Sequence, residues 1–245
     1  MQERAQPEFD RYSASYDDLL KDPIRDSFAG SAAFFHVRKR DLIRDYFRRR
    51  ARDTRQMKYL DVGCGKGELL SLLGHDFAYA AGCDPSSGML ESVHDFTVRL
   101  QQNPGRIPFD DAQFDFVTTV CVYHHVPVGQ RAALTHEIRR VLRPGGIFAV
   151  IEHNPFNPAT RMIVRRTPVD ADAILLPNSE TRSLLERSGF AIDRSCYFLY
   201  LPERLYRRAA GIENLLSRFP LGGQYAVFGE CRPSNHDLLN QNRTP

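Results

Sequence analysis

The sequence predicts a doubly wound α/β fold, built on a mostly parallel sheet with helices on both faces. Three observations carry that reading. Strand-like and helix-like segments alternate from Met57 onward at the pace of strand–helix–strand units. A glycine-rich turn follows the first of those strands. A buried-type strand, Gly145–Ile151, is entered through the turn Pro144-Gly145-Gly146. The 245 residues allow one large domain or two small ones.

Taken in order, residues 1–52 look helical and polar, with an amphipathic run from Ser31 to Arg50, and are expected to form a lid or cap. The core domain is expected over 53–232. Met57–Val62 reads as a strand ending in glycines. Gly67–Leu73 reads as a helix carrying Leu69, Leu70, Leu72 and Leu73. Phe77–Cys83 and Phe114–Val122 are strand-like. Gly129–Leu142 has helical spacing at Ala133, Leu134, Ile138 and Val141. Residues 155–178 form an insertion, and 201–220 a helical segment; both are expected on the substrate side. Ala191–Tyr200 and Gln224–Cys231 read as two final strands closing one sheet edge, with a helix, Pro202–Arg218, between them. Core packing or a dimer contact would occupy that helix's apolar side; a membrane surface is the other reading. The polar tail 233–245 is expected to be disordered.

Composition narrows the function. A hydrophobic fraction of 42% and a charged fraction of 26% exclude disorder and fibrous assembly. A net charge of +3 argues against a nucleic-acid partner. The five cysteines contain no Cys-x-x-Cys pair, so neither a disulfide framework nor a metal site is expected. The N-terminus has no apolar core of a secretory signal, and no apolar run nears the ~18 residues that span a bilayer. A cytoplasmic protein, monomer or homodimer, is expected.

The main chemical signal is Asp61-Val62-Gly63-Cys64-Gly65-Lys66-Gly67-Glu68. A glycine turn between strand and helix lets a ligand approach the backbone closely. A dinucleotide fingerprint starting at Gly63 requires glycine where Glu68 stands, and a P-loop requires Ser or Thr where Gly67 follows Lys66. Asp61 and Glu68 would also repel a pyrophosphate. A cationic ligand without phosphate fits better. An acid before the glycines suits an ammonium group, and Asp84, at the end of the next strand, can accept both hydroxyls of a ribose.

With the glycine segment, Asp84, Ile107-Pro108-Phe109-Asp110-Asp111 and Val141-Leu142-Arg143-Pro144-Gly145-Gly146, the chain resembles a class I methyltransferase dependent on S-adenosylmethionine (SAM), of the small-molecule type. The resemblance covers roughly residues 8–231. It implies a seven-stranded Rossmann-like sheet with an antiparallel last strand, and SAM as cofactor. It places Asp61, Gly63, Cys64, Gly65, Asp84 and Cys121 around the cofactor, and Tyr16 of the N-terminal segment at the methionine carboxylate. Pro85, Met89 and Pro104 would contact adenine. Asn103 stands where the family usually has an Asp that bonds the adenine amino group; Asn103-Pro104-Gly105 reads equally well as a simple turn.

Two clusters could serve the acceptor. In Cys121-Val122-Tyr123-His124-His125, the resemblance favours a packed His125 and a His124 that faces the acceptor. In Glu152-His153-Asn154, His153 could be a base oriented by Glu152, and Asn154 could bind an acceptor hydroxyl. A purely structural reading of both clusters also stands. Arg161 and Arg165, one helical turn apart, would suit an anionic or glycosylated acceptor. The expected reaction is methyl transfer to a hydroxyl or amine of a sugar-, nucleoside- or secondary-metabolite-like molecule. The alternative is a SAM-binding enzyme of the same fold running a non-methylating reaction in natural-product biosynthesis.

Overall fold

A seven-stranded sheet in the order β3-β2-β1-β4-β5-β7-β6 organises the chain. The computed structural model describes residues 8–103 and 105–232. Helices α1 (Tyr16–Leu19), α2 (Pro23–Phe28) and α3 (Ala33–Arg49) precede β1 (Lys58–Val62). Then come α4 (Glu68–Leu73), β2 (Tyr79–Asp84), α5 (Ser87–Leu90), β3 (Thr97–Leu100), β4 (Phe114–Val120), α6 (Arg131–Val141) and β5 (Leu142–His153). The chain ends with α7 (Pro158–Arg166), α8 (Asn178–Arg187), β6 (Phe190–Phe198), α9 (Glu203–Leu216) and β7 (Gln224–Cys231). Strands β1 to β5 are parallel; β7 runs antiparallel to both β5 and β6.

Local chemistry sets the helix starts. Asp22 caps α2 by accepting from the Ile24 and Arg25 amides, and Asn157 caps α7 by accepting from Thr160. Each cap is followed by a proline at the first helical position, where no amide partner is missed.

The sheet buries both faces, so alternate residues of one strand serve different layers. On one face Val62, Phe148 and Val150 pack with Leu134, Ile138 and Val141 of α6 and Leu184 and Leu185 of α8. On the other, Tyr59, Phe116, Ile147 and Ala149 pack with Ile43, Tyr46 and Phe47 of α3 and Leu69, Leu70 and Leu73 of α4. The N-terminal region therefore has two parts. Helix α3 is a layer of the core, with the Tyr46 ring stacked on Phe228 at 4.1 Å. The segment before it lies across the carboxyl ends of the strands.

Three expectations change. β3 and α8 had no counterpart in the reading of the sequence. β5 is longer at both ends than Gly145–Ile151. Most apolar residues of the tail helix stay outside the core: Leu205, Ile212, Leu215 and Phe219 are exposed, while Tyr206 packs partly against it. A buried polar pair also anchors α9. Glu213 is buried, pairs with the buried Arg38 of α3 and accepts from the Tyr200 amide at 2.7 Å. Arg38 also lies over the Tyr206 ring at 3.6 Å. The expectations for the tail 233–245 and for Pro104 fall outside the described residues.

Candidate active site

The strand order reverses at β1, whose neighbours are β2 and β4, and the crevice above that point is where open α/β sheets bind ligands. The glycine loop rises into it. Gly63, Gly65 and Gly67 have φ of 73°, 54° and 76°, a region that side chains disfavour. A Cβ at Gly63 would sit 2.5 Å from Val122, so its absence lets the loops after β1 and β4 touch. A Cβ at Gly65 would meet nothing within 4 Å. That position is open space, as close approach of a ligand to the backbone requires.

Register places the acids. Asp61 pairs with Thr118 across β1 and β4, and the Thr118 hydroxyl donates to its Oδ1 at 2.6 Å. Asp84 accepts from the Gly65 amide at 2.9 Å through one oxygen and from the Ser86 amide at 2.8 Å through the other. Burial, with the charges of Glu68 and Asp84, pushes the Asp61 carboxyl up to about 7. Burial also raises Glu68, assisted by Asp17, and Asp84, assisted by Asp10. Carboxylates that raise one another form a site short of positive charge. It suits the sulfonium and ammonium of SAM and rejects a pyrophosphate.

Lys39 partly offsets these acids. It is buried on α3, and its charge lowers the acids Asp61 and Glu68 and the thiol Cys121. The sequence reading missed it, because a lysine in an amphipathic helix looks like part of the solvated face. Other expected residues take varied places. Cys64 is buried, and its thiol packs where a side chain on Gly82 would stand. Pro85 is exposed and Met89 buried. Asn103 is exposed and its Oδ1 accepts from the Gly105 amide at 2.9 Å, which is the turn geometry.

The N-terminal segment is fastened over the crevice at three points. Asp10 accepts from the Ser86 hydroxyl at 2.6 Å and the Gly88 amide at 3.2 Å. Asp17 pairs with Lys66 at 2.9 Å. The Phe9 ring meets His125 edge-on at 4.9 Å. Tyr16 lies among them; burial, with the charges of Glu68, Cys121 and Asp170, raises its phenol.

Beyond β4 and β5 the histidines come together in an order that corrects two expectations. His124, expected to face the acceptor, is buried with a side chain 1% exposed; His125, expected to be the packed one, is 20% exposed. Glu152 orients His124 rather than His153. Its Oε2 lies 2.6 Å from His124 Nδ1, and its Oε1 accepts from the Val122 and Tyr123 amides at 2.9 and 2.7 Å. Asp170, from the insertion, was not anticipated. Its Oδ1 stands 3.5 Å from His124 Nε2 and 3.4 Å from His125 Nε2. Burial opposes protonation of His124, but Glu152 and Asp170 outweigh it and hold its pKa well above the ordinary value.

Cys121 follows β4 with a φ of 56°, unusual for a residue with a side chain. Burial resists ionisation of its thiol, yet His153 and Lys39 bring it down to about 7. Asn154 is not free to bind an acceptor: its amide donates to the Pro220 and Gly222 carbonyls and its oxygen accepts from Phe156. Arg161 and Arg165 are exposed on α7.

Comparison with known proteins identifies the family. A methyltransferase domain family matches residues 60–150. An uncharacterised methyltransferase of Synechocystis is 30% identical over 145 residues, covering 56% of this chain and 68% of that protein. The chain belongs to the class I SAM-dependent methyltransferases. A demethylmenaquinone methyltransferase of Corynebacterium kroppenstedtii is 32% identical, over 48% of this methyltransferase and 53% of its own length. A SAM-dependent methyltransferase structure from Archaeoglobus fulgidus shares the fold, with a TM-score of 0.58 at 18% identity over 78% of this chain and 94% of that one. SAM is the cofactor of the family. The relatives are named for methyl transfer, so the non-methylating alternative gains no support. No helix among the described residues is long and apolar enough to cross a membrane.

Proposed function

We propose that this methyltransferase acts in the cytoplasm on a hydroxyl or amine of a small molecule, sugar-, nucleoside- or secondary-metabolite-like. The observation that carries the reading is His153. It is a half-buried imidazole at the end of β5, beside the Cys121 thiol, while His124 is held between two carboxylates. SAM, when bound, supplies an electrophilic methyl group on a sulfonium.

The chain's residues do the rest. Asp84 would hold the ribose hydroxyls with the lone pairs its two amide partners leave free. Asp61 and Glu68 would stabilise the cofactor's positive charge, and Lys39 and Tyr16 would meet its methionine carboxylate. Gly65 leaves room for close approach. The segment from Phe9 to Asp17 excludes water. His153 accepts the acceptor's proton as the new bond forms, which requires its neutral form. Arg161 and Arg165 favour acceptors carrying phosphate or carboxylate, so those head the screen.

The test is release of S-adenosylhomocysteine against a panel of sugar nucleotides, nucleosides and phenolic metabolites. Turnover with one of them, reduced ~10²-fold or more in His153→Ala, is the expected outcome. Turnover equal in His153→Ala and wild type would remove the base. Methylation of protein or RNA in place of any small molecule would overturn the acceptor class.

A further inference from the structure

His124, His125 and Asp170 bring three possible metal-ligand atoms together, where the reading of the sequence expected no metal. We propose that His124 Nε2, His125 Nε2 and Asp170 Oδ1 form a binding site for one divalent transition ion, zinc by its donor set, with a fourth position left to a water or hydroxyl oxygen.

The geometry has three parts. First, the donor atoms of His124, His125 and Asp170 all lie within 4.8 Å of one another. Asp170 Oδ1 is 3.5 and 3.4 Å from the two imidazole nitrogens. Tetrahedral zinc with bonds of about 2.0–2.2 Å sets neighbouring donors about 3.3–3.5 Å apart. Asp170 Oδ1 already stands at that separation from each imidazole nitrogen, a distance long for a hydrogen bond, and the two nitrogens lie within 4.8 Å of each other.

Second, His124 Nε2 is buried and has no hydrogen-bond partner. A buried polar atom without a partner is costly, and an ion would satisfy it. The ring is also prepared for one. Glu152 binds Nδ1 at 2.6 Å, so that nitrogen keeps its proton toward the carboxylate and an ion would displace only the proton on Nε2. A carboxylate behind a histidine is the usual support of a metal ligand. Glu152 is itself fixed by two backbone amides.

Third, the two ligand segments are tied together by backbone bonds that do not involve the ligand atoms. The Ile174 amide donates to the His124 carbonyl at 2.8 Å. Arg131 then joins them: its Nη2 donates to the Ile174 carbonyl at 2.6 Å and its Nε to the Tyr123 carbonyl at 3.2 Å. The site is thus built before an ion arrives. It lies beside His153, whose ring is 5.1 Å from that of His124, and under Phe9 of the N-terminal segment. Nitrogen and carboxylate donors suit zinc or cobalt better than copper(I), which prefers thiolate and thioether donors.

The test uses the full chain without an affinity tag, stripped with chelator and then titrated with Co²⁺ alone and with Zn²⁺ in competition. The expected result is one tight equivalent, with intense visible absorption of tetrahedral cobalt that Zn²⁺ removes. Asp170→Asn and His125→Ala should each weaken binding at least tenfold, and Glu152→Gln by ~10–100-fold. Circular dichroism checks that each variant is folded. X-ray absorption on the wild-type zinc form, which needs no variant, should show two imidazoles in a nitrogen–oxygen shell. No stoichiometric binding would overturn the proposal, leaving a proton shared by the cluster. One equivalent bound undiminished in folded His125→Ala, or a sulfur shell, would place the ion elsewhere and overturn it equally.

Discussion

Replacing Asp61 by Asn separates what the glycine loop costs from what it does. Asp61 is 3% exposed, and its carboxyl is raised from 3.8 to about 7, by burial first and then by Glu68 and Asp84. The folded state therefore holds this proton more tightly than the unfolded chain. The stability it contributes is complete below pH about 4 and is lost as pH rises through about 7. Three pKa units correspond to about 4 kcal/mol, of which about 2–3 kcal/mol falls between pH 5 and 8. An Asn at this position can still accept the Thr118 hydroxyl bond, so the substitution removes charge and little else. Urea denaturation of both proteins, without cofactor, at a series of pH values is the assay. Wild type should lose about 2–3 kcal/mol more than Asp61→Asn between pH 5 and 8, so the variant is the more stable at pH 8. At that pH the variant should also have lost most of its SAM affinity. Parallel pH profiles for the two proteins would refute the reasoning, because the cost of ionising Asp61 would then be absent.

Other outcomes follow from the same structure. Asp84→Ala removes the ribose acceptor and frees the Gly65 and Ser86 amides. Charge-assisted bonds are worth ~1.5–3 kcal/mol, so SAM affinity should fall by ~10–150-fold or more, read by calorimetry. Glu213→Ala leaves Arg38 buried without its carboxylate and the Tyr200 amide unpaired, and should cost about 3–5 kcal/mol in chemical denaturation. Double replacement of Arg38 and Glu213 by Met and Leu should recover much of that loss, since both charges then leave the interior together.

The parts of the fold legible in sequence are those where a residue type answers a strong local demand. Gly63, Gly65 and Gly67 were readable because their backbone angles favour glycine. The long run of β5 was readable because a strand buried on both faces must be apolar throughout. β3 was not: at the sheet edge, with three of its four residues exposed or nearly so, Thr97–Leu100 carries no hydrophobic pattern. The acids Asp61 and Asp84 were visible from their positions beside the glycines. The roles of His124 and His125 were not, because the short turn that holds them has no periodicity to tell which ring points inward. Asp170 lay hidden inside an insertion whose arginines drew the eye, and only the tertiary fold brings it to the imidazoles.

The central claim is that the acid-lined glycine loop holds a cationic cofactor. Calorimetric titration of wild type, Asp61→Asn and Asp84→Ala with SAM and S-adenosylhomocysteine at pH 6.5, in buffers of different ionisation heat, tests it most directly. The account predicts micromolar binding of both ligands to wild type, proton release on binding SAM as Asp61 ionises, and loss of affinity in both variants. Equal affinities for SAM in all three proteins, with no proton exchanged, would contradict it.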